Sequence, residues 1–328
     1  MISYILRRLV YMVPTVLIIS MIAFVVIELP PGDFLTSHIA ALRAQGANIT
    51  ESEIAALEKR YGLGMPLHKR YFKWITGIVL RGDFGVSFEW EVPVSRLIAE
   101  RLPFTVIISL STLLFTYIVA IPVGVYSAVK QYSTFDYVFT SLGFVGLATP
   151  NFLLALILMF IFYTYFDLSI GGLFSPEYRT ANWSINKFID LINHLWIPII
   201  VIGTAGTAGL IRMMRGILLD ELGKDYVRTA RAKGLKESVV IVKHTVRIAL
   251  NPIVSAVAFQ FPRIVSGAAI TSIVLSLPTT GPLLLQALET QDMYLAGSFI
   301  LLLSTLTVIG TFVSDLFLVW IDPRISYE

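Results

Sequence analysis

DYVRTARAKGLKESVVIVKHTVRIALNP, residues 225–252, carries six of the chain's 25 Lys and Arg residues, and long apolar runs border it on both sides. Asp220–Lys233 is rich in helix formers, and Gly234 interrupts it. Val239, Val240, Val242, Val246 and Ala249 then resume a helical pattern until Pro252 opens the next apolar run. The spacing predicts two short amphipathic helices joined at a glycine turn. A positive-inside topology signal needs only a few charges beside the end of a span. Contact with anionic lipid headgroups needs no internal turn either. A patterned block of this length therefore favours docking of a cytoplasmic partner protein.

The rest of the chain explains why such a block stands out. Hydrophobic residues fill 56% of 328 positions and charged residues 14%, against ~25% charged in soluble domains. That balance predicts an integral membrane protein. A net charge of +3 gives no basic footprint for nucleic acid. The absence of cysteine excludes disulfides, thiolate metal sites and thiol catalysis.

A bilayer core takes roughly 20 apolar residues per helix. Six segments meet that length: Leu9–Leu29, Phe104–Val129, Tyr137–Phe166, Leu195–Ile211, Ile253–Leu277 and Leu295–Trp320. The first follows Arg7 and Arg8, outruns the apolar stretch of a secretory signal, and reads as a retained span. The third is long enough to require a tilt or kink, with Pro150 as the kink site. Under the positive-inside rule, segments 1–8, 130–136, 212–252 and 321–328 hold 2, 1, 9 and 1 basic residues, while loops 167–194 and 278–294 hold 2 and 0. Both termini and the 212–252 loop are thus expected on the cytoplasmic side of a cell membrane.

Residues 30–103 read as a small extracytoplasmic helical insertion within one transmembrane domain spanning 1–328. Thr50 or Ser52 would cap a helix presenting Ile54, Leu57 and Tyr61, stopped by Gly62. Leu67, Tyr71, Trp74, Ile75 and Ile78 share one face of a second helix expected to lie on the membrane surface.

The chain has no GxxxxGK[ST] phosphate loop, no HExxH zinc motif and no GxSxG elbow. Its four histidines (His38, His68, His194 and His244) stand singly. Nothing here builds a catalytic or metal centre, so a passage or scaffold is favoured over an enzyme. Arg263 lies about 11 residues into the fifth expected span, ~17 Å by helix rise. A cation there costs at least ~2.5–3.5 kcal/mol on insertion scales, so it should face the bundle interior or water. It reads either as a pathway residue meeting substrate or as one half of a structural pair with a neighbouring helix. Prolines near mid-span (Pro14, Pro122, Pro150, Pro262) speak against an inert scaffold. The few intramembrane ionisable residues speak against a secondary transporter or channel.

Read end to end, the chain resembles the permease subunits of dipeptide/oligopeptide/nickel-type ABC importers. The resemblance rests on ILRRLVYMVPTVLIISMIAFVVIELPPGDF at the start, RYGLGMPLHKRYFKWITGIVLRGDFGVSF in the outer segment and ERLPFTVIISL at the second span. It continues through GLATPNF, RTARAKGL, VKHTVRIALNP and DLFLVWIDPRISY. These pieces occur in family order over nearly the full length. The resemblance implies an all-α, six-span permease of the type I importer fold in a bacterial or archaeal membrane. Its partners would be a second homologous permease, two cytoplasmic ATPase subunits holding ATP and Mg²⁺, and an extracytoplasmic solute-binding protein. The cargo would be di- or oligopeptides, with short oligosaccharides or nickel as alternatives within the class.

Carried over residue by residue, the family's EAA coupling loop falls on Arg228, Thr229, Ala230, Arg231, Ala232, Lys233, Gly234, Leu235 and Glu237. The motif's opening Glu-Ala-Ala reads Arg228-Thr229-Ala230 here. Arg263, Pro150 and Asn151 are the expected pathway residues. The loop facing the binding protein, usually Pro-Gly-x-Gly, is Pro278, Thr279, Thr280 and Gly281.

Overall fold

The computed structural model describes residues 2–28, 50, 65–168 and 170–321. In chain order the helices are α1 (Ile2–Glu28), α2 (Leu67–Arg81), α3 (Val94–Val129), α4 (Thr134–Ala148), α5 (Asn151–Phe166) and α6 (Ile185–Leu222). Then come α7 (Asp225–Ala232), the single turn α8 (Glu237–Val239), a π-helical turn at Val240–Val246, α9 (Arg247–Ser255), α10 (Val257–Val274), α11 (Thr280–Glu289) and α12 (Met293–Ile321). The expected helix over Ile54–Tyr61 lies outside the described residues.

Among those residues four helices are long and apolar enough to cross a bilayer: Leu6–Val26 of α1, all of α3, all of α6, and Met293–Leu316 of α12. The pair α4 and α5 makes a fifth if counted together. The expectation of six spans departs from this at two places. Tyr137–Phe166 is not one kinked helix but two helices turned by 106°. Pro150 offers no N–H and restricts the residue before it, so Thr149 sits at φ −91°, ψ 119° and Pro150 at φ −58°, ψ 137°. Pro14 and Pro198, by contrast, stay inside continuous helices. The second departure is Ile253–Leu277, which divides between α9 and α10, leaving only Arg263–Val274 as a short apolar stretch.

The chain packs as two units. The first comprises residues 1–104 and 279–308. Within it α2 starts after Pro66 and stops at Gly82, whose φ of +64° is the left-handed cap that a residue without Cβ adopts freely. Tyr71, Trp74 and Ile75 on the predicted face are buried with Phe24 of α1, Phe88, Met293 and Leu301. The Tyr71 hydroxyl pairs with Ser20 at 2.7 Å, satisfying the polar end of a buried ring. A second apolar cluster joins Val94, Leu97 and Ile98 to Leu283, Ala287, Leu295 and Phe299.

The second unit comprises residues 105–278 and 309–328. Its centre is α6, 38 residues long and hence about 57 Å. Small residues let its neighbours approach closely. A Cβ on Gly146 of α4 would stand 2.7 Å from Thr204 Cγ2, and one on Gly124 of α3 would stand 2.7 Å from Met214 Cβ and 3.0 Å from the Ile211 carbonyl oxygen. Because a carbonyl cannot swing aside, Gly124→Ala should force α3 and α6 apart at an overpacking cost of ~1–3 kcal/mol. Thermal unfolding of the purified variant in detergent is expected to show a lower midpoint. An unchanged midpoint would mean the contact is looser than described.

Candidate functional site

The basic block folds as its spacing predicts. α7 ends in a Schellman arrangement: Gly234 N–H donates to the Arg231 carbonyl at 2.9 Å and Leu235 N–H to the Ala230 carbonyl at 3.4 Å. Gly234 holds φ +75°, with nothing within 4 Å of a would-be Cβ. Its role is therefore backbone conformation, not space. Across this turn the Arg231 guanidinium clasps Glu237 through two bonds, at 2.7 and 3.1 Å. The Arg231 hydrogen bonds hold the Glu237 carboxyl below the usual carboxylate range. By sign, the clasp operates above the ordinary Glu value and is lost as pH falls through the lowered one. Both side chains are about half exposed, so the clasp is screened.

The sequence-predicted residues of the block divide by face. Arg228, Thr229, Arg231, Ala232, Lys233, Gly234, Leu235 and Glu237 are exposed. Ala230 is not: it is buried against Val227 and Val240 in a small core of its own, with Tyr226 packed on its edge. The periodicity that marks one exposed face also turns Ala230 inward.

Two groups on α6 escaped sequence reasoning: Glu221, which ties the block to α6, and Arg215, which ties α4 to it. Glu221, 8% exposed in the last turn of α6, accepts from the Tyr226 hydroxyl at 2.7 Å and from Lys224 Nζ. Burial, and then the Glu221 carboxylate, push the Tyr226 phenol up to about 12. Further along α6, Arg215 donates twice to Asp136, both bonds at 2.9 Å. Asp136 is 3% exposed and also accepts from the Tyr132 N–H at 3.0 Å and the Thr140 hydroxyl at 3.3 Å. No local pattern could reveal this pair, whose members stand 79 residues apart.

Other expected site residues lie elsewhere. Asn151 opens α5 at the 106° break and reaches the Ile202 carbonyl at 3.5 Å. Pro150 is the preceding cap. Arg263 is exposed on α10. Thr279 and Thr280 are 5% and 1% exposed, so neither side chain is free to touch a docked protein. They are consumed at the start of α11, which corrects their placement on an open loop. Pro278 and Gly281 are half-buried.

In the first unit, Asp292 caps α12 by accepting from Leu295 N–H at 3.1 Å. The same carboxylate accepts from Ser87 Oγ and from the N–H groups of Phe88 and Glu89, the latter at 2.7 and 3.2 Å. It is fully buried. Burial raises its carboxyl pKa despite four donors that favour the anion. In the same unit an apolar groove of about 400 Å³ is lined by Met21, Phe24, Val25, Leu67, His68, Tyr71 and Phe72. Among the described residues, no group of three or more His, Asp or Glu could hold a metal.

Comparison with known proteins matches this architecture over nearly its whole length. Residues 120–327 match the binding-protein-dependent transport system inner membrane component, and residues 1–111 match the N-terminal part of such membrane components. The chain is 34% identical over 328 residues to the oligopeptide transport system permease AppB of Bacillus subtilis, covering 100% of both chains. It is 31% identical over 344 residues to the dipeptide permease DppB of Escherichia coli K12, again covering 100% of both. The glutathione permease GsiC of Salmonella choleraesuis is 30% identical over 328 residues with 100% of both covered.

Proposed function

Because the chain belongs to the family of binding-protein-dependent transport system inner membrane components, we propose that it forms half of the passage for di- and oligopeptides in an ATP-driven importer. The chain is a multi-pass membrane permease subunit of such an importer, a transport component and not an enzyme. The observation that carries the substrate reading is full-length similarity to proteins named for oligopeptide, dipeptide and glutathione transport. Those names support peptides over the oligosaccharide alternative.

An importer of this kind works with an ATPase component and a binding protein. In the proposed assembly a second homologous permease completes the passage, and two ATPase subunits hold ATP and Mg²⁺. The ATPase meets the exposed face of α7 and the turn after it: Arg228, Thr229, Ala232, Lys233 and Leu235. The charge asymmetry of the short loops supports placing both termini and this block on the cytoplasmic side, with α9 and α10 together supplying a sixth crossing. Arg263 then serves either the substrate or a carboxylate of the second permease, since an exposed cation at that depth needs one of them.

The reading is tested by reconstituting the subunit with its ATPase, second permease and binding protein in proteoliposomes. Peptide uptake should require ATP and all partners. Gly234→Val should lower uptake or ATPase co-purification roughly tenfold, because a β-branched residue reaches φ +75° only with strain. Gly234→Asn, which tolerates that conformation, should stay near wild type. Wild-type uptake and co-purification in the valine variant would reduce the block to a topology marker.

A further inference from the structure

Only Gly223 and Lys224 separate α6 from α7. A joint of two residues containing glycine is ordinarily a hinge. Gly223 sits here at φ −79°, ψ −11°, torsions open to any residue, so glycine is not needed for the shape of the corner. What crosses the corner is a strut. The Glu221 carboxylate, buried at the end of α6, accepts from the Tyr226 hydroxyl on the first turn of α7 at 2.7 Å and from Lys224 within the joint. Lys224 N–H also closes on the Glu221 carbonyl at 3.2 Å. The Tyr226 ring lies against the Val227, Ala230 and Val240 core, so the strut joins α6 to the whole α7–π-turn body and not to a single side chain.

We propose that Glu221 and Tyr226 are positioning residues that turn the α6–α7 corner from a hinge into a fixed elbow. Displacement of α7 is thereby passed into α6 instead of being absorbed at Gly223. This rests on the reading of α7 as the ATPase-coupling segment. Glu221 supplies the anion, Tyr226 supplies a donor on a ring packed against the α7 core, and Lys224 offsets the charge that burial would otherwise disfavour. Neither residue needs to touch the ATPase or the cargo. Hydrogen bonds to a charged acceptor are the strong class, which suits a part that must not yield.

The test uses the complete importer in proteoliposomes, with ATP hydrolysis and peptide uptake measured together. Tyr226→Phe removes one hydroxyl, and Glu221→Gln removes the charge at constant size. Both are expected to keep ATPase subunits bound and hydrolysis near wild type, while uptake per ATP falls roughly 5- to 10-fold. Gly223→Ala, whose Cβ would meet only the Asp220 carbonyl at 3.6 Å, should stiffen the joint by narrowing its backbone freedom. Combined with Tyr226→Phe it should restore part of the lost uptake. Three results would overturn the proposal: an unchanged ratio in both single variants, loss of subunit abundance in both, or hydrolysis and uptake falling in proportion. Failure of the coupling reading itself looks different, because the wild-type ATPase would then assemble without α7, as the Gly234→Val comparison reports.

Discussion

Asp136→Ala is expected to destabilise the second unit by about 3–5 kcal/mol, lowering a detergent unfolding midpoint by roughly 6–20 °C. The carboxylate is 3% exposed and accepts from Arg215, Tyr132 and Thr140. Its removal leaves the Arg215 guanidinium facing a cavity with no counter-charge, and the Tyr132 N–H without an acceptor. Arg215 keeps some access to solvent, its side chain being 25% exposed, which places the loss toward the lower end. The double variant Asp136→Ala/Arg215→Ala should be less damaged than the sum of the single ones, because no buried charge is stranded. Additive losses would show that the two groups act independently and that the bidentate geometry carries no coupling energy.

The first unit has its own critical carboxylate. Asp292→Ala removes the acceptor for the Ser87 hydroxyl and for the N–H groups of Phe88, Glu89 and Leu295. Each buried donor left unpaired costs ~1–3 kcal/mol, and the lost helix cap adds ~1 kcal/mol. Hydrogen exchange is expected to accelerate strongly over residues 83–98 and at the start of α12. Unchanged protection there would sink the prediction. Asp292→Asn should be milder and should also alter the response to pH. Burial raises the Asp292 pKa, so its contribution is fully present below the unfolded value near ~3.9 and is lost as pH rises through the folded value. The wild type should therefore lose part of its stability on that rise, and the Asn variant should not.

How much of this could be read from sequence depended on the reach of each interaction. Tyr71, Trp74 and Ile75 are buried on one side of α2 as helical spacing requires, since periodicity reports a local geometry. Gly234 at φ +75° followed from a glycine placed between two helix patterns. Pro150 announced a disturbance, but its 106° size depends on Thr149 leaving helical torsions as well. Family likeness carries no information about which side chains of the 228–237 block point inward, as Ala230 does. Asp136 with Arg215, and Asp292 with Ser87, lie 79 and 205 residues apart. Each looks like an ordinary surface carboxylate until the fold closes. Glu221 is closer to its partner, yet nothing in DELGKDY says that the two helices meet at an angle bringing the phenol onto the acid.

The π-turn at Val240–Val246 acts as a phase shifter. Its added residue sets Val240 and Thr245 one above the other, as the Thr245 hydroxyl bonding the Val240 carbonyl at 2.9 Å records. Val240 belongs to the small core around α7, whereas Ala249 and Ile253 pack among Leu210, Met214 and Leu218 of α6. An unbroken α-helix advances ~100° per residue, so shortening this turn by one position would rotate those two sets of contacts onto different sides of the rod. A single extra residue thus keeps one end of the segment on the small core around α7 and the other on α6. Substitutions that preserve chain length are tolerable here in a way that a one-residue deletion is not.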